Sequence, residues 1–94
     1  MSITSPIEVK FTGFRPGTHA AAIHATLRNT PRTKEQIIRE TQVVAKKRKI
    51  KNPAKRVRDH IRHWARQKVY VQTSGRAWTI NPRGVRFVPR EWAP

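Results

Sequence analysis

Between Lys46 and Gln67 the chain reads KKRKIKNPAKRVRDHIRHWARQ, a stretch holding ten of the protein's 21 Lys and Arg and a single acid, Asp59. Side chains of this type at this density do one kind of chemistry well: they neutralise a polyanion. Arg can also grip guanine O6 and N7 through two parallel hydrogen bonds, while Lys suits a phosphate. The candidate binding residues are therefore Lys46, Lys47, Arg48, Lys49 and Lys51 in the first run, and Lys55, Arg56, Arg62, His63 and Arg66 beyond it. Arg76, beside Ser74 and Gly75, is a further candidate. A lone Arg among small polar residues suits a narrow minor groove, and Ser74 accompanies it. Asp59 either accepts from a cytosine amino group or pairs with Lys55 or Arg62 at helical spacing. Pairing is the simpler expectation.

Other chemistries find less support. Asp59, His60 and His63 are close in sequence, yet helical winding sends His60 to a flank and His63 to the cationic face, where a dication is disfavoured. His19 and His24 fall on one predicted helix and are not expected to converge. The chain has no Gly-rich phosphate loop, no paired carboxylates and no Ser, His and acid in a plausible order. Its five acids are too few for a two-metal nuclease centre. The sequence thus predicts no enzyme, no cofactor, no metal and no small-molecule ligand. With no Cys, disulfides and thiolate metal sites are excluded. No apolar run approaches a bilayer span, and MSITSPIEVK lacks an apolar leader core. The expected location is the cytosol, on a nucleoid, or the nucleus. KKRK matches a nuclear localisation pattern, as many basic patches do.

Spacing indicates the elements that must position these residues. IEVKF, residues 7–11, alternates apolar and polar and predicts a short strand. Thr18 is placed to cap a first helix over 18–28, with Ala20, Ile23 and Leu27 on one face. Thr33 and Gln36 form a capping box for a second helix running to about residue 45. Asn52-Pro53 starts a third, in which Ala54, Val57, Ile61, Trp64, Ala65 and Lys68 make one stripe. The opposite side carries Lys55, Arg56, Asp59, Arg62, His63 and Arg66. A disordered basic tail would not segregate its apolar residues in this way.

KVYVQTSGRAWTI then predicts a hairpin with Ser74-Gly75 as a two-residue turn. Pairing Thr73 with Arg76 would put Val69, Val71, Trp78 and Ile80 on one face, toward the helices. Trp64 and Trp78 are expected in the core, and Tyr70 and Trp92 are left as aromatics able to stack on a base. In NPRGVRFVPREWAP, Arg83, Arg86 and Arg90 belong either to a basic arm or to a short edge strand.

Three helices followed by a hairpin resemble the winged helix-turn-helix superfamily over about residues 18–81. The resemblance lies in architecture and apolar spacing. TKEQIIRET matches the scaffold helix, NPAKRVRDHIRHWARQ the recognition helix and KVYVQTSGRAWTI the wing. It implies an α+β fold with an N-terminal arm and strand (1–17), a winged-helix domain (18–81) and a basic C-terminal arm (82–94). The link KKRKIKN is longer than the usual tight turn; linker-histone globular domains, which share this fold, also have a long basic link. The implied function is double-stranded DNA binding with modest sequence selectivity, by a transcription regulator or a nucleoid-type architectural protein. RNA binding or ribosome association is the alternative, with Tyr70 or Trp92 stacking. A membrane-surface role is disfavoured, because the apolar face of the third helix is needed for the core.

Overall fold

Thr18, Thr33 and Asn52 each leave helical backbone and offer a side-chain oxygen to the first turn of the helix that follows. In the computed structural model, which describes residues 6–28 and 30–92, these caps open α1 (His19–Thr26), α2 (Lys34–Glu40) and α4 (Pro53–Arg66). The Thr33 hydroxyl accepts from Gln36 N–H, and the Gln36 side-chain oxygen accepts from Thr33 N–H at 2.8 Å, completing the capping box. Asn52 Oδ1 accepts from Lys55 N–H at 3.1 Å, and Pro53 takes the first helical position, where its missing N–H costs nothing.

The sequence pattern predicts one helix from Lys34 to about residue 45, but the chain forms two, α2 and α3 (Gln42–Lys47), joined at Thr41. Thr41 is buried, and its hydroxyl donates to the Ile37 carbonyl at 2.7 Å. Such a back-bond competes with the backbone ladder and bends the helix.

Helices α3 and α4 end alike. Lys49 (φ 56°) and Lys68 (φ 63°) sit in the left-handed region just past each helix. Ile50 N–H reaches the Ala45 carbonyl at 2.9 Å, and Val69 N–H reaches that of Trp64 at 3.0 Å. These are the bonds of a Schellman close, where glycine is the usual occupant because a Cβ is strained there. Lys68→Gly should therefore raise stability by about 1 kcal/mol. The check is chemical denaturation, with a higher midpoint at unchanged slope.

That close also decides the hairpin. Val69 is taken up in ending α4, so β2 (Tyr70–Gln72) begins one residue later than the apolar alternation suggests. It pairs antiparallel with β3 (Trp78–Ile80), Tyr70 opposite Ile80, Val71 opposite Thr79 and Gln72 opposite Trp78. Thr73 N–H bonds the Ala77 carbonyl at 2.8 Å, leaving Ser74, Gly75 and Arg76 as a three-residue loop with Gly75 at φ 74°. The expected two-residue turn, with Thr73 on Arg76 and Val71 opposite Trp78, is thus corrected. A slip of one residue exchanges the faces. Tyr70 is the residue turned inward, 1% exposed, and it is not available to stack on a base.

The core joins Ile23 and Leu27 of α1, Ile37 of α2, Val57 and Ile61 of α4, and Val69 and Tyr70. Phe11, Phe14, Trp64, Trp78 and Ile80 pack against it, so Trp64 and Trp78 hold the core positions expected of them. The flanks meet each other. β1 (Ile7–Lys10) pairs antiparallel with β4 (Val85–Val88), Ile7 opposite Val88 and Lys10 opposite Val85. Of the two readings of residues 82–94, the strand holds over 85–88. Arg83 pairs with Glu8 at 2.8 Å, and the Arg86 guanidinium lies 5.2 Å from the centre of the Trp64 ring. Arg90 and Trp92 bound a 3-10 turn. The first five residues of the expected N-terminal arm and the last two of the C-terminal one lie outside the described residues. The result is an α+β fold of four helices and two small antiparallel sheets among the described residues. Backbone bonds exchanged by Arg32 and Trp78 tie the α1–α2 link to the edge of the hairpin.

Candidate nucleic-acid interface

Helix α4 carries the site because its two faces do different work. Val57 and Ile61 are fully buried against the other helices, which fixes the helix's rotation. That rotation leaves Lys55, Arg56, Arg62, His63 and Arg66 exposed. The remaining candidates, Lys46, Lys47, Arg48, Lys49, Lys51, Ser74 and Arg76, are exposed as well.

They divide into neighbourhoods. The turn after α3 folds back beside the first half of α4, so Arg48, Lys49, Lys51, Lys55 and Arg56 line one groove together with Asp59. Its geometry follows from Lys49 in the left-handed conformation and Asn52 capping α4. Lys47 lies apart, with Val44, Ala21 and Ala22 on the other side of the link. Arg62, His63 and Arg66 continue along α4, His63 with its ring edge-on to Trp64 at 4.8 Å. Arg76 joins a third neighbourhood, a groove it shares with Lys34, Glu35, Arg58, Gln72 and Trp78.

Asp59 has the pairing role. Its carboxylate takes a 2.9 Å bond from Lys55 Nζ. That hydrogen bond, with the positive field of Lys55, Arg62 and Arg56, holds the carboxyl below its ordinary range. The one acid of the face is therefore ionised and engaged at neutral pH.

Two groups escaped the sequence reading. Arg58 and Lys34 reach the groove beside Arg76, which depends on where the hairpin packs; only Arg58's place at the edge of the α4 stripe hinted at it. The second is a half-buried cluster around the buried Tyr70. His24 Nδ1 and His60 Nε2 both hydrogen-bond Tyr70 Oη, at 3.0 and 2.8 Å, with Phe14 packed on both rings. His24 thus converges not with His19 but with His60, across elements far apart in sequence. Burial, reinforced by the charges of His24, His19 and His63, pulls His60 down to about 3. Burial raises the Tyr70 hydroxyl far above its ordinary value. Burial and then Arg28 lower His24; burial and then Arg56 lower His19. These imidazoles are neutral at pH 7 beneath a cationic surface. The arrangement stabilises the seam between α1, α4 and β2.

Among the described residues no three His, Cys, Asp or Glu are grouped to hold a metal ion, and no helix is long and apolar enough to cross a membrane. Comparison with protein-family models, curated proteins and solved structures finds no match to this chain.

Proposed function

We propose that this protein binds double-stranded DNA as a winged helix, with α2 as scaffold, α4 as recognition helix and the β2–β3 hairpin as wing. Helix α3 lengthens the link between scaffold and recognition helix. The observation that carries the reading is the stretch from Lys46 to Arg66: ten Lys and Arg, all exposed, most of them along α4 and its preceding turn, with a single acid that is already paired. A solvated surface helix ordinarily mixes both signs, whereas this face offers charge of one sign to a polyanion. An amphipathic helix of this kind fits the roughly 12 Å major groove of B-DNA. Through Arg58 the positive surface continues from the helix to Arg76 of the wing and Lys34. With phosphate contacts dominating, binding is tolerant of sequence, as in an architectural protein or a regulator that acts by occupancy.

Competition of labelled duplex DNA against duplex RNA and against single strands, at two salt concentrations, tests the partner class. Duplex DNA should displace best. Preferential displacement by RNA would move the function to RNA binding, a reading now without Tyr70 as a stacking platform.

Within the site the roles separate by position. Arg62 lies mid-helix on α4 and is expected at base edges; Lys47, in the last turn of α3, touches backbone only. Arg62→Ala should cost roughly 1–3 kcal/mol on a preferred duplex and less on random sequence. Lys47→Ala should weaken both alike and reduce the salt slope by about one. Titrations of each variant on selected and random duplexes of equal length measure this. If Arg62→Ala lowers both affinities in parallel, α4 clamps the backbone; if it lowers neither, α4 is not the recognition helix.

A further inference from the structure

The groove that Arg76 shares with Arg58 and Lys34 also holds a side chain that phosphate contact does not call for, the indole of Trp78. The backbone puts it there. Trp78 N–H donates to the Arg32 carbonyl at 2.7 Å, and the Trp78 carbonyl accepts from Arg32 N–H at 3.0 Å, which seats the residue against the first turn of α2. Lys34 of that turn carries its ammonium over the ring, 6.0 Å from the centre. Gln72 is the cross-strand partner of Trp78, so its amide lies on the same face of the hairpin as the indole. Gln72 Nε2 donates to the Gly75 carbonyl at 3.4 Å, which ties the amide to the loop and leaves Oε1 to accept.

Trp78 is half-buried: it packs against the core, and the ring face toward Lys34 opens on the groove. Glu35 completes the lining. Among the described residues neither Glu35 nor Lys34, Arg58 or Arg76 has an ion-pair partner, unlike Arg32, Lys55 and Arg83. The groove measures about 440 Å³, within the roughly 300–1,000 Å³ of pockets that hold small ligands.

This set matches the parts of one nucleotide. An indole face stacks a base of any kind. At the base's edge Gln72 can donate or accept, and the Glu35 carboxylate accepts from an amino group. Arg58 and Arg76 suit the phosphate. Lys34 stands at the outer limit of useful cation–π range and gives up little in leaving the ring for that phosphate. Inside a duplex both faces of every base are covered by its neighbours, so only an unpaired base can offer a face to Trp78.

We propose that the groove between α2, α4 and the β2–β3 hairpin takes an unpaired nucleotide, stacked on Trp78, beside the duplex held by α4. The inference rests on the DNA-binding reading and gives it a preferred substrate, duplex that runs into a single strand. Arg58 joins the two surfaces, since it belongs to α4 and lines the groove. Stacking is tolerant of base identity, so the preference is for the structure of the DNA and not for its sequence.

The test measures the affinity of the intact protein, at one salt concentration, for three DNAs: a blunt duplex, the same duplex with a short single-stranded overhang, and that overhang made abasic. The abasic form keeps the phosphates and removes the bases, which separates stacking from added charge. The overhang should bind about tenfold more tightly than the blunt duplex, and the abasic overhang should lose most of that gain. Trp78→Leu, which keeps an apolar side chain against the core, should bind blunt duplex as wild type does and show no preference for the overhang. A free nucleoside monophosphate at micromolar concentration should leave the wild-type preference intact. Equal affinity for blunt and overhang DNA, or a gain that survives removal of the bases, overturns the proposal, and both are read on wild type whether or not the variant folds. A folded Trp78→Leu that keeps the preference overturns it as well. Loss of the preference to micromolar free nucleotide would make the groove a mononucleotide site instead. Failure of wild type to bind even the blunt duplex overturns the DNA-binding reading itself, and this inference with it.

Discussion

Lowering the pH from 7 to 4.5 should remove about 3 kcal/mol of folding stability through His60 alone, and His60→Gln should abolish most of that loss. His60 is held near a pKa of about 3 in the fold, against 6.5 for an ordinary His. The unfolded chain therefore takes up its proton first as pH falls. Stability is complete above about 6.5, declines by about 1.4 kcal/mol per pH unit below it, and levels off only near the folded value. His24 and His19, lowered in the same direction, add to the decline. The effect is large for a domain whose total stability is of order 5–15 kcal/mol. Gln at position 60 keeps a group able to bond Tyr70 Oη while removing the titration. Denaturant melts of both proteins at pH 7, 5.5 and 4.5 decide the matter. A wild-type midpoint flat across that range would mean that His60 is solvated, and the Tyr70 seam would have to be redrawn.

What the sequence made legible was local. Thr33 with Gln36, Thr18, and Asn52-Pro53 are start signals contained within four residues, and each caps the helix expected of it. The α4 stripe is read from winding alone, and with it the exposure of the helix's own predicted cations. What escaped needed contacts between distant segments or a competition between two local rules. Val69 satisfies both a strand alternation and a helix close. The backbone bond to Trp64 gives it to the close, and the hairpin slips by one residue. Thr41 is compatible with a continuous helix until its hydroxyl finds Ile37. The Ile7–Val88 pairing and the His24–Tyr70 bond join segments that no spacing rule connects. Arg58 entered the candidate site only because the corrected hairpin brings Arg76 beside it.

The central claim, that the exposed cations of α4 and its link engage a polyanion, is tested most directly by the salt dependence of binding. Each neutralised phosphate releases condensed counterions, so log affinity falls linearly with log salt, by about 0.9 per phosphate on duplex DNA. The surface from Lys46 to Arg66, with Arg76 beside it, has the length and charge to engage about five to eight phosphates. The predicted slope is about −5 to −7, which lowers affinity roughly a thousandfold or more between 50 and 200 mM salt. The measurement is a titration of one short duplex by the intact protein across that range. A slope in this range is the predicted result; a slope near zero would show that these cations are merely solvated and contradict the account.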